Sequence, residues 1–310
     1  MTPLEEELAR VKPPGETFLT VGVFDGVHRG HRHLLELLKR QAVRAGCVPG
    51  VVTFCNHPVT VLGPDAPVRL ITTVEERVRL LQEMGIETVV PITFTLEVSR
   101  VTAREFVAML QRYLRMRGMV VGPDFGLGHN REGTPQVLRA LGRELGFTVT
   151  VARPYEDGGV RVSSTATRNA LAQGDVATAS RFLERSYALV GEVVHGEGRG
   201  GSLLGYPTAN VAVDHSLLLP GDGIYATWFY VDQQRYKAAT SIGVRPTFGS
   251  GERTVEAFLL DFRGDLYQKT VRLEFVERLR DEVAFDTAEA LKRQMDIDVE
   301  ETRRILGAVA

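Results

Sequence analysis

The first half of the chain alternates short apolar runs with segments of helical periodicity, and this alternation restricts the fold more than any other feature. The apolar runs lie at residues 18–24, 50–54, 88–94, 119–122 and 148–154. Strands that are apolar along their whole length are buried on both faces, which is typical of a parallel sheet covered by helices. The pattern therefore predicts a parallel α/β domain, in which ligands bind beyond the carboxyl ends of the strands.

The pattern changes after about residue 184, where short β-rich pieces between Gly- and Pro-rich loops replace the helical segments. Such a series of short strands is typical of a small antiparallel barrel. One helix over residues 163–184 is expected as a hinge, and a last helix at about 287–308 closes the chain. The sequence thus predicts an α/β domain over residues 1–183 and an antiparallel β-barrel with a closing helix over residues 184–310.

The composition disfavours several classes of protein. A formal net charge of -2 over 310 residues predicts no binding of nucleic acid or of acidic membranes, so any phosphate is expected in a local pocket. The acidic N-terminus lacks the apolar region of a signal peptide, and no run reaches the roughly 18 apolar residues of a membrane helix. With Cys47 and Cys55 as its only cysteines, we expect a reduced, cytoplasmic protein of unspecified oligomeric state.

The sequence contains no Gly-Lys pair, and this bears on how phosphate can be bound. A Walker A loop requires that pair and is therefore excluded. A bound triphosphate must be contacted by Arg, His, hydroxyl and backbone N–H groups instead.

Two histidines stand where a predicted strand meets a helix, in the stretch TVGVFDGVHRGH at residues 20–31. A helix N-terminus attracts phosphate through its unpaired N–H groups and partial positive charge, and the same field favours a neutral imidazole. His28 and His31 lie on one side of the first turn, and Gly30 lets a nucleotide come close. A capping or surface role is the simpler alternative, and a metal site lacks the carboxylate of an H-E-x-x-H pattern.

A second helix start occurs in VSSTATRNAL at residues 162–171. Ser163 or Ser164 can cap this helix, and Arg168 lies in its first turn. A cation there is unfavourable for the helix dipole, so a bound anion is an attractive partner. An ordinary capped helix is the alternative.

Taken together, these stretches resemble the signatures of one family. GVFDGVHRGH is similar to the H-x-G-H signature of the nucleotidyltransferase superfamily, and Ser163-Ser164-Thr165-x-x-Arg168 is similar to its second signature, S-S-T-x-I-R. With TFCNHP and VVGPDFGLGHNREG between them, residues 15–183 resemble the N-terminal half of bacterial bifunctional riboflavin kinase/FAD synthetases. The resemblance implies a Rossmann-like domain in which the FMN phosphate attacks the α-phosphorus of ATP directly.

The resemblance also implies a role for each matching residue. His28 and His31 would contact the ATP phosphates and stabilise the transition state, while Ser164, Thr165 and Arg168 would hold the leaving pyrophosphate. The residues expected to shape the adenine nucleotide pocket are Gly22, Phe24, Asp25 and Gly30. The residues expected near the flavin or the catalytic centre are Phe54, His57, Pro58, Asp124 and Phe125.

The chain departs from this pattern at four positions. Leu127 replaces the second Phe of D-F-x-F-G, and Asn56 replaces the Pro before His-Pro. Thr167 stands in place of Ile, and Arg77 stands where Lys is expected. None of the four removes a group with an implied catalytic role.

The segment LGYPTANV places Thr208 and Asn210 two residues apart in an extended stretch, so that both side chains point the same way. A hydroxyl and an amide are hard oxygen donors that can reach Mg²⁺ and phosphate. Both residue types are also common in turns, and the preceding glycine-rich loop is equally compatible with a flexible turn.

The C-terminal part resembles the riboflavin kinase domain from about residue 187 to 310. LGYPTANV matches G-F-P-T-A-N, SIGVRPTF matches I-G-x-R-P-T-F, and LRDEVAF matches L-R-x-E-x-x-F. The resemblance implies that Thr208 and Asn210 bind Mg²⁺ and the ATP phosphates, and that Glu256 is the general base. Gly200 and Gly205 would contact ATP from a loop that is one residue longer than the pattern. Arg280 would contact or shape the flavin site, or pair with Glu282.

Both resemblances together predict an Mg²⁺-dependent enzyme with two activities and riboflavin, FMN and ATP as its small-molecule partners. The C-terminal barrel would phosphorylate riboflavin to FMN, and the N-terminal domain would adenylylate FMN to FAD with release of pyrophosphate. Three alternatives stay open from the sequence alone. The first is that only one of the two activities is retained, with the kinase favoured. The second is that the N-terminal domain uses another acceptor, and the third is that the chain is a flavin- or nucleotide-sensing regulator.

Overall fold

The computed structural model describes residues 1–63, 68–195, 206–244 and 253–308. The described chain forms two compact units, Met1–Ser164 and Thr165–Ala310. None of the described helices is long and apolar enough to cross a membrane.

The first unit contains a five-stranded parallel sheet in the order β3-β2-β1-β4-β5. The order reverses between β1 and β4, which is where ligands bind in open parallel sheets. The predicted parallel α/β fold is confirmed. The elements are α1 (Pro3–Arg10), β1 (Thr17–Val21), α2 (Arg29–Arg44), β2 (Val48–Phe54), α3 (Pro58–Leu62), α4 (Val74–Glu83), β3 (Thr88–Ile92), α5 (Ala103–Leu114), β4 (Met116–Val121), α6 (Pro135–Leu145), β5 (Thr148–Val151), β6 (Glu156–Asp157) and β7 (Val160–Arg161).

The sheet is buried on both faces, which accounts for its continuous apolar strands. All five residues of β1 are buried. Leu19 and Val21 pack into a cluster with α1 and α5, while Phe18 packs on the opposite side with Leu35 and Leu38 of α2. Helices α4, α5 and α6 each begin after a threonine whose side chain accepts a backbone N–H, so local capping fixes where they start.

Strand β1 ends at Val21, three residues earlier than the apolar run predicts. Phe24, Gly26 and Val27 have φ angles of +53°, +82° and +43°, which no strand accommodates. A β-branched residue such as Val27 at positive φ is strained, and such strain persists only where the surroundings hold it in place. The apolar character of residues 22–24 therefore serves the packing of a tight turn.

The second unit is a closed barrel of six antiparallel strands with a long C-terminal helix, as predicted. The strands are ordered β10-β11-β12-β9-β8-β13 around the barrel. The elements are α7 (Ser164–Ala172), α8 (Val176–Leu183), β8 (Tyr187–Val194), β9 (Thr208–Val213), β10 (Gly223–Val231), β11 (Gln234–Val244), β12 (Arg253–Leu259), β13 (Thr270–Arg280) and α9 (Ala288–Ala308).

The single hinge helix predicted for residues 163–184 is wrong, because the structure has two helices there, α7 and α8. Gly174 has a φ of +75° and ends the first helical path, and the Asp175 side chain accepts the N–H of Thr178 to start the second. The N–H of Gly221 donates to the Leu171 carbonyl over 2.8 Å, and α8 packs on β8 and β13. These contacts place both helices with the barrel.

Candidate active sites

The turn after β1 is held by a buried aspartate. The Asp25 carboxylate accepts the N–H of Ile71 at 3.0 Å and the N–H of Thr72 at 3.1 Å, and the Thr72 hydroxyl lies 3.2 Å away. The N–H of Gly26 in turn donates to the Thr72 hydroxyl at 3.1 Å. Asp25 is only 1% exposed. Its carboxylate thus holds the strained turn in place from inside the protein.

A buried arginine supports the same turn. Arg77 of α4 is 1% exposed, and its guanidinium lies 4.0 Å from the Asp25 carboxylate. It also donates to the carbonyl of Phe54 at 2.7 Å and to the carbonyl of Thr72 at 3.4 Å. The planar guanidinium presents several donors in fixed directions, which suits it for joining three segments. Arg77 therefore links the ends of β1 and β2, where sequence places nucleotide and flavin residues.

His28 and His31 come together at the start of α2, as their spacing predicts. His28 is the N-cap, and its Nδ1 accepts the N–H of His31 at 3.2 Å. The two rings are stacked with their centroids 3.6 Å apart, and the Phe24 ring lies 4.9 Å from that of His31. An Nδ1 that accepts a hydrogen bond carries no proton, so a neutral His28 has its proton on Nε2.

Position 30 requires a glycine, because there is no room for a side chain between His28 and the Val162 carbonyl. A Cβ at this position would lie 2.7 Å from the Val162 carbonyl oxygen and 3.0 Å from Cε1 of His28. Gly22 is less crowded, with the Phe24 ring 3.1 Å from the place of its Cβ. The glycine that the sequence assigns to a close nucleotide approach therefore also leaves room for the His28 ring and the Val162 carbonyl.

The predicted flavin residues lie at the ends of β2 and β4, the strands on either side of β1. The ring of Phe54 makes an edge contact with Phe94, with centroids 5.7 Å apart. His57 caps α3 by accepting the N–H of Val59 at 3.3 Å, and Pro58 is the first residue of that helix. The structure thus brings these residues to the carboxyl edge of the sheet that also holds the histidine turn.

After β4, Asp124 is exposed and forms an ion pair of 2.6 Å with Arg161 of β7. The N–H of Phe125 donates to the Gly122 carbonyl, and its ring packs on the core cluster with Leu127. Leu127 is 7% exposed, so the leucine that departs from the family pattern lies in the core.

Ser164 connects the second signature to the first. Its hydroxyl donates to the Asp25 backbone carbonyl at 2.9 Å, and this contact lies within the first unit. Thr165 and Arg168 follow in α7, with Thr165 exposed and Arg168 half-buried. Their phosphate-binding roles stay predictions.

In the barrel, three predicted residues lie side by side on two paired strands. Glu256 of β12 is the register partner of Asn210 of β9, and the Thr208 hydroxyl lies 3.4 Å from the Glu256 carboxylate. Ala209, Val255 and Ala257 alternate with them and are buried in the barrel interior. The alternation therefore turns all three polar side chains to the outer face of the barrel.

A cavity of about 240 Å³ lies on this outer face. Glu256 and Thr208 line its polar side together with Ser241, the register partner of Glu256 on β11. Its apolar side is built from the following residues of β10, β12, the segment after β13 and α9: Ile224, Phe258, Val283, Phe285, Leu291, Met295 and Val299. A flat aromatic ligand with a polar end fits such a division.

Arg280 lines this cavity but does not pair with Glu282, so that expected alternative is wrong. Its guanidinium forms a two-pronged ion pair with Asp298 of α9, with contacts of 2.9 and 2.7 Å. Glu282 lies instead over Gly243, where a Cβ would be 2.0 Å from its carboxylate oxygen. Burial raises the pKa of the Glu282 carboxyl, and the negative charges of Asp222 and Glu256 add to the effect.

Tyr206, at the start of the same segment as Thr208, contacts two walls of the cavity. Its ring makes an edge contact with Phe258 at 4.9 Å, and its hydroxyl donates to Asp296 of α9. That hydrogen bond is the main reason that the pKa of Tyr206 is raised to about 12.

The donor set of the barrel site suits magnesium. No group of three His, Cys, Asp or Glu side chains that could hold a metal ion occurs among the described residues. Mg²⁺ keeps several waters and is usually bound by few protein oxygens together with substrate phosphates. Thr208, Asn210 and the nearby Glu256 carboxylate supply such oxygens. The predicted contacts of Gly200 and Gly205 lie outside the described residues.

The residues that sequence reasoning misses are Arg77, Asp298 and Tyr206 as contributors to the sites. Arg77 was recognisable only as a departure from an expected lysine. Asp298 could have been noticed because it lies beside the apolar stripe of Leu291, Met295 and Val299, where a carboxylate requires a buried partner.

Comparisons with known proteins show which family the chain is similar to along most of its length. The FAD synthetase family model matches residues 11–166, and the riboflavin kinase family model matches residues 183–306. The bifunctional riboflavin kinase/FMN adenylyltransferase of Pseudomonas fluorescens is 38% identical over 294 residues, which cover 94% of this chain and 93% of the relative. The protein of the same description from Escherichia coli strain K12 is 36% identical over 292 residues, covering 93% and 92%. A solved structure described as a macrolide-efflux protein from Streptococcus pneumoniae has a TM-score of 0.88 at 31% identity over 96% of each chain.

Proposed function

The chain belongs to the bifunctional riboflavin kinase/FMN adenylyltransferase family, and from this premise we propose which residues carry each of its two reactions. The enzyme phosphorylates riboflavin to FMN and transfers the adenylyl group of ATP to FMN, giving FAD. The names of the curated relatives contain both activities, which disfavours a chain that retains the kinase alone.

For adenylyl transfer, the proposal places the ATP phosphates at the start of α2. The FMN phosphate oxygen forms a bond to the α-phosphorus as the bond to pyrophosphate breaks. A neutral His28 offers its Nε2–H as a donor, and His31 is stacked beside it. Donors that are already in position stabilise the charge that develops on the transferring group without reorganising.

Supporting residues complete this proposed site. Ser164, Thr165 and Arg168 bind the leaving pyrophosphate, and Gly22, Phe24 and Asp25 shape the adenine nucleotide pocket. Phe54, His57, Pro58, Asp124 and Phe125 lie towards FMN. Asp25 acts through the turn that it anchors, since its own carboxylate is buried.

For riboflavin phosphorylation, Glu256 takes the proton of the 5′-hydroxyl, whose oxygen then attacks the γ-phosphorus of ATP and releases ADP. A general base must lie within reach of the proton that it accepts, and Glu256 lines the cavity whose apolar side suits the flavin ring. Thr208 and Asn210 would hold Mg²⁺ and the ATP phosphates. When bound, Mg²⁺ neutralises charge on the transferring phosphoryl group.

The observation that carries the proposal is that each unit has its own cluster of predicted residues in contact, the histidine turn in one and the Thr208–Glu256 cluster in the other. The division into residues 1–183 and 184–310 stays a prediction. The first family model ends at residue 166 and the second begins at residue 183, whereas the compact units divide between Ser164 and Thr165. A cytoplasmic location stays a prediction from the sequence.

The test is chromatography of the products after incubation with riboflavin, ATP and Mg²⁺. FMN and FAD should both appear, and FMN should appear first. FMN without FAD would contradict the assignment of the first unit, and the absence of any flavin product would favour a sensing role.

A further inference from the structure

Helix α9 closes the kinase cavity on one side, and different parts of this helix make different contacts. Leu291, Met295 and Val299 are spaced four residues apart and form one stripe that lines the cavity. Farther along, Ile305 and Leu306 pack with Trp228 on the outer face of β10. Helix α9 is therefore both a cover of the barrel and a wall of the substrate site.

Two aspartates flank the apolar stripe on opposite sides of the helix. Asp298 follows Met295 by three residues and lies on one side, while Asp296 follows it by one residue and lies on the other. Asp298 is 6% exposed, whereas Asp296 is exposed. Each contacts a residue that itself lines the cavity.

The buried contact joins α9 to the end of β13. The Asp298 carboxylate accepts Nε and Nη2 of Arg280, and it also accepts the side-chain amide of Gln294 at 3.0 Å. The Arg280 guanidinium lies 5.8 Å from the ring of Phe285, which lines the cavity too. A charge as buried as Asp298 is tolerated only because it is paired in this way.

The exposed contact joins α9 to the start of β9. The Tyr206 hydroxyl donates to Asp296. Tyr206 lies two residues before Thr208, and the Thr208 hydroxyl faces the Glu256 carboxylate. The G-F-P-T-A-N pattern has Phe at this position, so the hydroxyl is an addition in this chain. The Tyr206–Asp296 bond therefore links the residues just before β9 to α9, next to Met295.

We propose that Asp296 and Asp298 are positioning residues of the riboflavin kinase site, which set the rotation of α9 about its axis and so the shape of the flavin cavity. This inference rests on the proposed function of the barrel. A single contact would leave α9 able to rotate about its own axis, whereas contacts on opposite sides of the helix prevent this rotation. The consequence is a cavity whose apolar wall is in place before riboflavin binds, so less of the binding energy is lost in ordering it.

The test measures riboflavin binding and both activities in three single variants and one double variant. Tyr206→Phe and Asp296→Ala each remove the exposed contact, the first by deleting the donor and the second by deleting the acceptor, and Asp298→Asn weakens the buried one. Riboflavin binding is followed by the anisotropy of its fluorescence, and KM and kcat are measured for FMN formation. Tyr230→Phe is the matched control, because it also removes a tyrosine–carboxylate hydrogen bond, at 2.9 Å to Glu274, outside the residues that line the cavity.

We expect Tyr206→Phe and Asp296→Ala each to weaken riboflavin binding about threefold to tenfold, with a matching rise in KM and little change in kcat. The double variant should resemble either single variant, because both remove the same bond. Asp298→Asn should weaken binding more than either. FAD formation from supplied FMN should be unchanged in all of them, as should every parameter of Tyr230→Phe.

Unchanged riboflavin affinity in Tyr206→Phe and Asp296→Ala would overturn the inference, and so would additive effects in the double variant. The two exposed variants decide the question even if Asp298→Asn fails to fold. If the unmodified enzyme forms no FMN, the proposed function of the barrel falls and this inference falls with it. If that enzyme forms FMN and the variants match it, only the positioning role is contradicted.

Discussion

The backbone N–H of His31 donates a hydrogen bond to Nδ1 of His28 over 3.2 Å, and the two imidazole rings stack with centroids 3.6 Å apart. One ring nitrogen of His28 is therefore committed to capping α2. The other is the nitrogen that can donate to a substrate. A capping role and a catalytic role are thus compatible in this residue, because they use different atoms.

The first prediction separates these two roles by substituting His28→Asn. Asparagine is a good N-cap, so α2 should keep its start and the unfolding temperature should change little. The Nε2–H donor is lost, and FAD formation from FMN should fall by about a hundredfold or more. His28→Ala removes both functions and should in addition destabilise the fold by about 1 kcal/mol. FAD formation at the normal rate in His28→Asn would contradict the donor role.

The second prediction concerns Gly30→Ala, which places a methyl group 2.7 Å from the Val162 carbonyl oxygen and 3.0 Å from the His28 ring. Because the carbonyl cannot move away easily, the ring is expected to shift, and FAD formation should fall about tenfold or more while FMN formation continues. Gly15→Ala is the control, since the nearest atom to its new Cβ is 3.5 Å away. Equal rates of FAD formation in the two variants would contradict this view of Gly30.

The third prediction tests Arg77 through two substitutions. Arg77→Met leaves the buried Asp25 carboxylate without its cation and should destabilise the first unit by about 3 kcal/mol or more. Arg77→Lys keeps the charge but cannot make the same set of bonds to Phe54 and Thr72, so we expect normal folding and reduced FAD formation.

The matched control is Arg79→Met, because Arg79 is exposed on the same helix and its ion-pair partners among the described residues are Glu76 and Glu83. Its loss should leave both activities and the unfolding temperature nearly unchanged. If Arg77→Lys forms FAD as fast as the unmodified enzyme, the bonds to the ends of the strands have no role in positioning the site.

The fourth prediction concerns the metal dependence of the kinase. Thr208→Val removes a hydroxyl 3.4 Å from the Glu256 carboxylate and should raise the Mg²⁺ concentration required for half-maximal FMN formation. Thr270→Val, at an exposed position of β13, is the control. An unchanged Mg²⁺ requirement in Thr208→Val would remove this residue from the proposed metal site.

Much of the architecture follows from local patterns in the sequence. The continuous apolar strands correctly indicate a sheet buried on both faces, and the alternation in residues 208–211 correctly turns Thr208 and Asn210 to one side. The spacing of apolar residues does not predict the break between α7 and α8 at Gly174, because these residues continue at helical spacing on both sides of it. The local signal for the break is Gly174, which adopts a positive φ, followed by Asp175, which caps the next helix. The continuous helical spacing of the apolar residues makes this signal easy to overlook.

The parts of the sites that could not be predicted depend on contacts between distant segments. Arg280 is followed closely by Glu282, and proximity in sequence favours that pairing, yet its partner is Asp298 on a later helix. Arg77 of α4 contacts Asp25 in the turn after β1 and the Phe54 carbonyl at the end of β2. Such partners become apparent only when the packing of the elements is known.

The most direct test of the account compares His31→Ala and Glu256→Ala in two assays, one supplied with riboflavin and the other with FMN, each with ATP and Mg²⁺. We predict that His31→Ala converts riboflavin to FMN at the normal rate but makes no FAD from either substrate. Glu256→Ala should make FAD normally from FMN and form no FMN from riboflavin. Equal loss of both activities in either variant, with the fold intact, would contradict the division of the two reactions between the two units.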